Sequence, residues 1–184
     1  MSLVDLNNNE TDKNTLHSYL PLYETLLKPI KHTNGNILEV GVSWGGSIKL
    51  WRDYFTKATI YGCDILDRVS IHELKTNNRI FLNLDGNAYT KEYVQKNFEN
   101  KKFDFLLDDG PHSLFSQEKF VELYSPLLSE NGILIIEDVQ DINWLEKLKN
   151  KTPHHLKQYI KTYDLRNKKG RSDDIVFTID KVVR

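Results

Sequence analysis

A single cysteine, Cys63, in a chain of 184 residues excludes an internal disulfide framework and a cysteine-based zinc site. Long apolar runs are missing too; none approaches the roughly 20 residues that a membrane-spanning helix needs. The start, Met1-Ser-Leu-Val-Asp-Leu6, has no basic head and no apolar stretch, so it reads as carrying no secretory signal. An excess of one charge is also missing. Twenty-five Lys and Arg against 26 Asp and Glu give a net charge of -1, which argues against a nucleic-acid binder that works by bulk positive charge. The expected setting is cytoplasmic, with no membrane and no nucleic-acid partner. What is present is an ordinary globular balance, 39% hydrophobic, 28% charged and 11% aromatic. The length suits one domain.

Short apolar runs alternate with amphipathic stretches. The runs are Asn36–Val40, Ala58–Cys63, Arg79–Leu84, Phe103–Leu107 and Gly132–Ile136. Each is bounded by turn residues, as buried parallel strands are. Helical stripes lie between them, over Gly46–Phe55, Thr90–Phe98, Ser116–Leu128 and Asp141–Lys149, with Asn131-Gly132 as the expected stop of the third and Asp141 as the expected cap of the fourth. Another helix is expected from about Thr15 to Leu27. The tail differs: Leu156–Tyr163 and Asp174–Ile179 read as a closing hairpin across the basic Asp164–Ser172 loop. The expectation is an α/β fold with a mixed, mostly parallel sheet and helices on both faces. Residues 1–30 would form a lid and a helix, and residues 35–184 the core. The Asn7-Asn8-Asn9 run is trivial low complexity, and Asp5–Lys13 reads as a polar segment able to fold over a ligand.

All five runs end in acidic residues or glycine: Glu39 with Gly41, Asp64, Asp85, Asp108-Asp109 and Glu137-Asp138. Ligands of open parallel sheets bind outside the carboxyl ends of the strands. One or two such acids would simply cap helices; five strand ends with two doublets point to a shared site. The turn Glu39-Val-Gly-Val-Ser-Trp-Gly-Gly-Ser47 brings backbone close to a ligand at a helix N-terminus. Ser43 stands where a dinucleotide fingerprint has its middle glycine, and no Lys-Ser/Thr follows Gly46. Asp64 lies near the roughly 20-residue offset from Gly41 at which an acid reaches a ribose hydroxyl. A nucleoside held by its ribose, without a pyrophosphate turn, fits S-adenosylmethionine better than NAD.

These residues, together with Ile60-Tyr-Gly-Cys-Asp-Ile65, Leu107-Asp-Asp-Gly-Pro-His112, Ile136-Glu-Asp-Val139 and the N-terminal Thr11-Asp-Lys13 with His17, Tyr19 and Tyr23, resemble the class I S-adenosylmethionine-dependent methyltransferases. The resemblance is to the macrolide sugar O-methyltransferase and cephalosporin-hydroxylase-like branch, and it runs from about Thr11 to Ile179. It implies a Rossmann-like, seven-stranded, mostly parallel sheet with an antiparallel C-terminal hairpin. It implies methyl transfer to a hydroxyl, usually of a sugar, with Mg²⁺ or another divalent cation. Carried over, Glu39, Gly41 and Ser47 would line the methionine end, Asp64 the ribose, and Asp85, Asn87 and Ala88 the adenine. Lys13, His17, Tyr19, Ser43, Trp44, Ile65 and Asp108 would complete the cofactor site. Asp109, Glu137 and Asp138 would hold the metal, and His112 beside Asp109 would be the catalytic base. Two features depart from that branch: the chain is short beside macrolide enzymes, and Pro111 stands before the histidine in place of a small polar residue.

The chemistry is coherent without the name. Displacement at a sulfonium needs an aligned, preferably deprotonated oxygen. Hard carboxylates select Mg²⁺ or a similar ion, a cation lowers the pKa of a bound hydroxyl, and a histidine can take its proton. Three carboxylates at one point would repel each other without a cation. Other residues have simpler readings: Trp51 and Tyr54 as core, Cys63 as an inert buried thiol, His154-His155 as loop. Lys168-Lys-Gly-Arg171 reads as a charged hairpin loop, with Arg166, Arg171, Asp173 and Asp174 either meeting the acceptor or pinning the loop. The acceptor would be a glycan, nucleotide sugar or glycosylated metabolite, and the reading leaves room for a homo-oligomer. A catechol-like acceptor and a non-catalytic nucleoside-binding module are the alternatives.

Overall fold

The computed structural model describes residues 1–6 and 9–184. Asn7 and Asn8, which belong to the Asn7–Asn9 run and to the Asp5–Lys13 segment, lie outside the described residues. In chain order the strands are β1 (Asn36–Val40), β2 (Thr59–Cys63), β3 (Ile80–Asn83), β4 (Phe103–Asp108), β5 (Leu128–Ile136), β6 (Ile160–Asp164) and β7 (Ile175–Asp180). They form one seven-stranded sheet in the order β3-β2-β1-β4-β5-β7-β6. β1 to β5 pair in parallel, while β7 enters antiparallel between β5 and β6. The order reverses between β1 and β4, which opens a crevice at their carboxyl ends.

Alternation along the strands sorts the core into two layers. Ile37, Phe105, Ile133 and Val176 face one side, with Tyr19, Tyr23, Trp51 and Phe55 packed on them. Leu38, Leu106, Leu134 and Phe177 face the other, with Phe98, Phe120 and Tyr124. The helices are α1 (Tyr19–Leu27), α2 (Gly46–Tyr54), α3 (His72–Thr76), α4 (Lys91–Phe98), α5 (Leu114–Tyr124), α6 (Trp144–Lys151) and α7 (Arg166–Lys169). No described helix is long and apolar enough to cross a membrane.

Several boundaries differ from the sequence reading. α1 starts at Tyr19 rather than near Thr15, because the carbonyls of Asn14, Thr15 and His17 accept from the Lys169 ammonium at 2.5, 3.2 and 2.8 Å. α5 stops at Tyr124, not Leu128; Pro126 sits in the 3₁₀ turn Ser125–Leu127 and brings no N–H to continue a helix. Asn131-Gly132 therefore lies inside β5. Asp141 does not cap α6. Its Oδ1 accepts from the backbone and side-chain amides of Asn143, both at 2.9 Å, and the helix begins one residue later. Residues 154–159 are 3₁₀, so β6 starts at Ile160, and α7 interrupts the basic loop.

Candidate active site

The site is built where β1, β2, β4 and β5 end. Gly41 leaves β1 with φ 96°, Ser43 follows at φ 48° and Gly45 at φ 94°, and α2 begins immediately after. Asp64, at the end of β2, fastens this turn: its Oδ2 accepts from the amides of Val42 and Ser43 at 3.0 and 2.8 Å, and its Oδ1 from Leu66 at 3.1 Å. A cavity of about 800 Å³ opens above it. Gly41, Ser43, Trp44, Ser47, Asp64, Ile65, Asn87, Ala88, Asp109 and His112 line it. Glu10, Thr11 and Asp12 of the N-terminal segment form another wall, and Lys49 holds Glu10 there at 2.9 Å. The described part of that segment is packed in place, with Leu3 and Lys13 fully buried. Trp44, Ile65 and Phe115 remain more than half exposed at the mouth.

Beneath the cavity lies a polar floor. The Lys13 ammonium, with no exposure, sits 2.5 Å from Asp109 Oδ2, 2.5 Å from Glu137 Oε1 and 3.6 Å from Glu39 Oε1. Burial disfavours its charge, but the three carboxylates hold its pKa well above the ordinary lysine range. Burial pushes Glu39 up to about 7 against the pull of Lys13; the Trp51 indole N–H donates to Glu39 Oε2 at 2.9 Å. Asp108 is likewise pushed by burial to about 7, with the Tyr89 hydroxyl donating to it at 2.5 Å. The other oxygen of Glu137 accepts from the Tyr23 hydroxyl.

Asp109 and Asp138 share one arrangement, with one oxygen held from below and the other turned outward. Asp109 Oδ2 accepts from the Lys13 ammonium, and its Oδ1 lies 3.8 Å from His112 Nε2. Asp138 Oδ1 accepts from the Tyr19 hydroxyl at 2.5 Å and lies 3.2 Å from His17 Nδ1; its Oδ2 lies 3.5 Å from His112 Nε2. His17 is itself 2.6 Å from Asp174 Oδ1. Both His112 and Asp138 adopt left-handed backbone, at φ 52° and 54°, a strain that tends to gather at functional sites. The Ser113–Ser116 capping box of α5 fixes the residue after His112. Gln117 clamps the following strand end by donating to the carbonyls of Glu137 and Asp138 at 3.1 and 3.3 Å.

The structure thus divides the expected residues. Ten line the cavity. Lys13, His17, Tyr19, Glu39 and Asp108 are buried behind its floor and support the acids instead of facing a ligand. Asp85 is exposed and outside the cavity lining. Of the expected metal trio, Asp109 and Asp138 come together with His112, their ligand atoms all within 4.8 Å, while Glu137 is turned to Lys13 and Tyr23. Two outward carboxylate oxygens beside an imidazole suit a divalent cation that keeps several waters. Tyr89 and Gln117 carry no motif and were missed; only their hydrogen bonds, to the Asp108 carboxylate and to the carbonyls of Glu137 and Asp138, reveal them. Trp51 is a core residue as read, but its indole N–H also serves Glu39.

No family model matches the chain. Mycinamicin VI 2''-O-methyltransferase of Micromonospora griseorubida is 28% identical over 138 residues, 70% of this chain and 33% of that protein. A tetracenomycin-C rhamnosyl 3'-O-methyltransferase of Streptomyces olivaceus is 29% identical over 135 residues, 67% of this chain and 32% of that protein. The chain therefore spans about a third of the length of these curated relatives. Its fold matches the MycE methyltransferase of the mycinamycin pathway, solved with Mg, SAH and mycinamycin VI, with a TM-score of 0.77 at 20% identity. The match covers 98% of this chain and 53% of that one. The fold is the Rossmann-like fold of that methyltransferase.

Proposed function

We propose that this chain transfers a methyl group from S-adenosylmethionine to a sugar hydroxyl of a glycosylated small molecule or glycan, with the help of a divalent cation. One observation carries the reading: Asp109 and His112, with Asp138 beside them, meet at a cavity that is also lined by a glycine turn fastened by Asp64. Asp64, Ile65, Asn87 and Ala88 would hold the nucleoside, and the Gly41–Ser47 turn the amino-acid end. Asp109 and Asp138 would hold the cation through their outward oxygens. When bound, these groups supply a methyl on a sulfonium and polarisation of the acceptor hydroxyl.

The rest falls to the chain's own side chains. His112 Nε2 takes the hydroxyl proton. Asp109 Oδ1 and Asp138 Oδ2 lie 3.8 and 3.5 Å from that nitrogen, so the residues that would hold the cation also place it next to the base. The Glu10–Asp12 wall excludes water from one side. Alignment of acceptor with donor contributes on the order of 7–11 kcal/mol in favourable intramolecular models. The exposed Trp44 and Phe115 give the acceptor an aromatic surface to lie on. A cytoplasmic setting accords with the free thiol of Cys63.

Calorimetric titration with S-adenosylmethionine and its demethylated product, with NAD as control and with or without Mg²⁺, tests the reading. Binding of the sulfur pair but not NAD supports it, and an acceptor panel of free sugars, glycosides and catechols then separates sugar from phenol. No binding of either sulfur compound would sink it. Binding without cation dependence or turnover on any acceptor would favour a non-catalytic module.

A further inference from the structure

The floor of the site contains a cation of its own. Lys13 reaches it from the N-terminal segment, far from the strand ends in sequence. Its ammonium has no exposure and touches two of the carboxylates that the motif pattern assigns to a metal. We infer that Lys13 is a tethered cation that removes Glu137 from the metal's ligand set and competes with the divalent cation for Asp109. This rests on the metal site proposed above and specifies how it is built.

Three observations support it. First, both Glu137 oxygens are engaged inside the protein, Oε1 by Lys13 and Oε2 by the Tyr23 hydroxyl, and the residue is 1% exposed. Second, Asp109 is divided between two sides, with Oδ2 on Lys13 and Oδ1 toward His112. A cation arriving from the cavity meets Oδ1. Third, Lys13 is held by more than its charges. The carbonyls of Asn14, Thr15 and His17 are gripped by Lys169, and Lys13's own carbonyl accepts from the Tyr19 amide at 2.9 Å. The main chain is thus pinned on the C-terminal side of Lys13, which limits how far its ammonium can withdraw from Asp109 and Glu137. Lys13 is thus a positioning residue: it sets which carboxylate oxygens remain for the metal and weakens the metal's hold by like-charge repulsion.

The test is Mn²⁺ binding to the full chain, followed by electron paramagnetic resonance and calorimetry without cofactor or acceptor. Glu137→Gln should change the Mn²⁺ dissociation constant by less than about threefold, whereas Asp138→Asn should weaken it at least tenfold. Lys13→Met should tighten Mn²⁺ at least tenfold, and the double variant Lys13→Met/Glu137→Gln should lose most of that gain. Tenfold weakening in Glu137→Gln would show that Glu137 ligates the metal and that Lys13 yields, which overturns the inference while leaving the metal site standing. No gain in Lys13→Met would also overturn it. Wild-type protein that binds no Mn²⁺ would remove the metal site and the inference with it. If Lys13→Met does not fold, judged by circular dichroism, the Glu137→Gln comparison decides alone.

Discussion

Replacing Gly41 by alanine should be among the most damaging single changes at the rim, and Gly170 provides its control. Both glycines have left-handed φ, 96° and 72°. An alanine pays about 1–2 kcal/mol for that conformation. At Gly170 nothing lies within 4 Å of where a Cβ would stand, so the cost ends there. At Gly41 the Cβ would run into the carbonyl of Asp109 and the amide of Gly110. Neither side can retreat cheaply. The Gly41 amide donates to Cys63 O at 2.8 Å, and the Asp109 amide to Val40 O at 2.8 Å. Overpacking adds about 1–3 kcal/mol and a weakened ladder bond about 1 kcal/mol. The sum is about 3–6 kcal/mol for Gly41→Ala against about 1–2 kcal/mol for Gly170→Ala. At about 2–4 °C per kcal/mol for a chain of this size, the melting temperatures should fall by about 6–24 °C and 2–8 °C respectively. Urea denaturation and thermal scans, both followed by circular dichroism at 222 nm, measure the free energies and the melting temperatures. Equal losses in the two variants would refute the claim that strand-end packing fixes Asp109.

Tyr23→Phe removes the hydroxyl donated to buried Glu137 and should cost about 1–3 kcal/mol in urea denaturation; a loss under 0.5 kcal/mol would show that the carboxylate does not need it. Stability should also depend on pH. Asp108 and Glu39 have folded pKa values of about 7, above their unfolded ones, so the folded state binds their protons more tightly. That contribution is full below the unfolded pKa values and lost as pH rises through about 7. In metal-free buffer the urea midpoint should therefore be higher at pH 5.5 than at pH 8, and Asp108→Asn should flatten the difference; a lower midpoint at pH 5.5 would contradict it. Cys63, buried and pushed up to about 12, should resist a disulfide reagent in the native protein and release one equivalent in denaturant; rapid native reaction would show that β2 opens.

Much of the framework was legible because strand patterning and strand-end acids are local signals. The runs at Asn36–Val40 and Phe103–Leu107 could be read directly, since burial on both faces leaves no polar alternation to confuse them. The start of α1 was not legible. The three carbonyls that Lys169 occupies are met only in three dimensions, by a residue from the other end of the chain. The same holds for the floor. Asp109, Glu137 and Asp138 are visible as doublets, and their mutual repulsion implies a cation. That Lys13 supplies part of it depends on a backbone path that no motif spacing encodes. Tyr23 went unseen as the partner of an acid because a tyrosine in a helical stretch reads first as core, and here it is core and donor together; Tyr89 went unseen because it lies in a loop with no motif, at the cavity wall.

The grip of Lys169 on the carbonyls of Asn14, Thr15 and His17 ties the two ends of the chain mechanically. Those carbonyls lie just beyond Glu10–Asp12, which wall the cavity, and Lys169 belongs to the short helix between β6 and β7. One ammonium therefore joins the segment next to the cavity wall to the loop between β6 and β7, so Lys169→Met would release both segments at a single point.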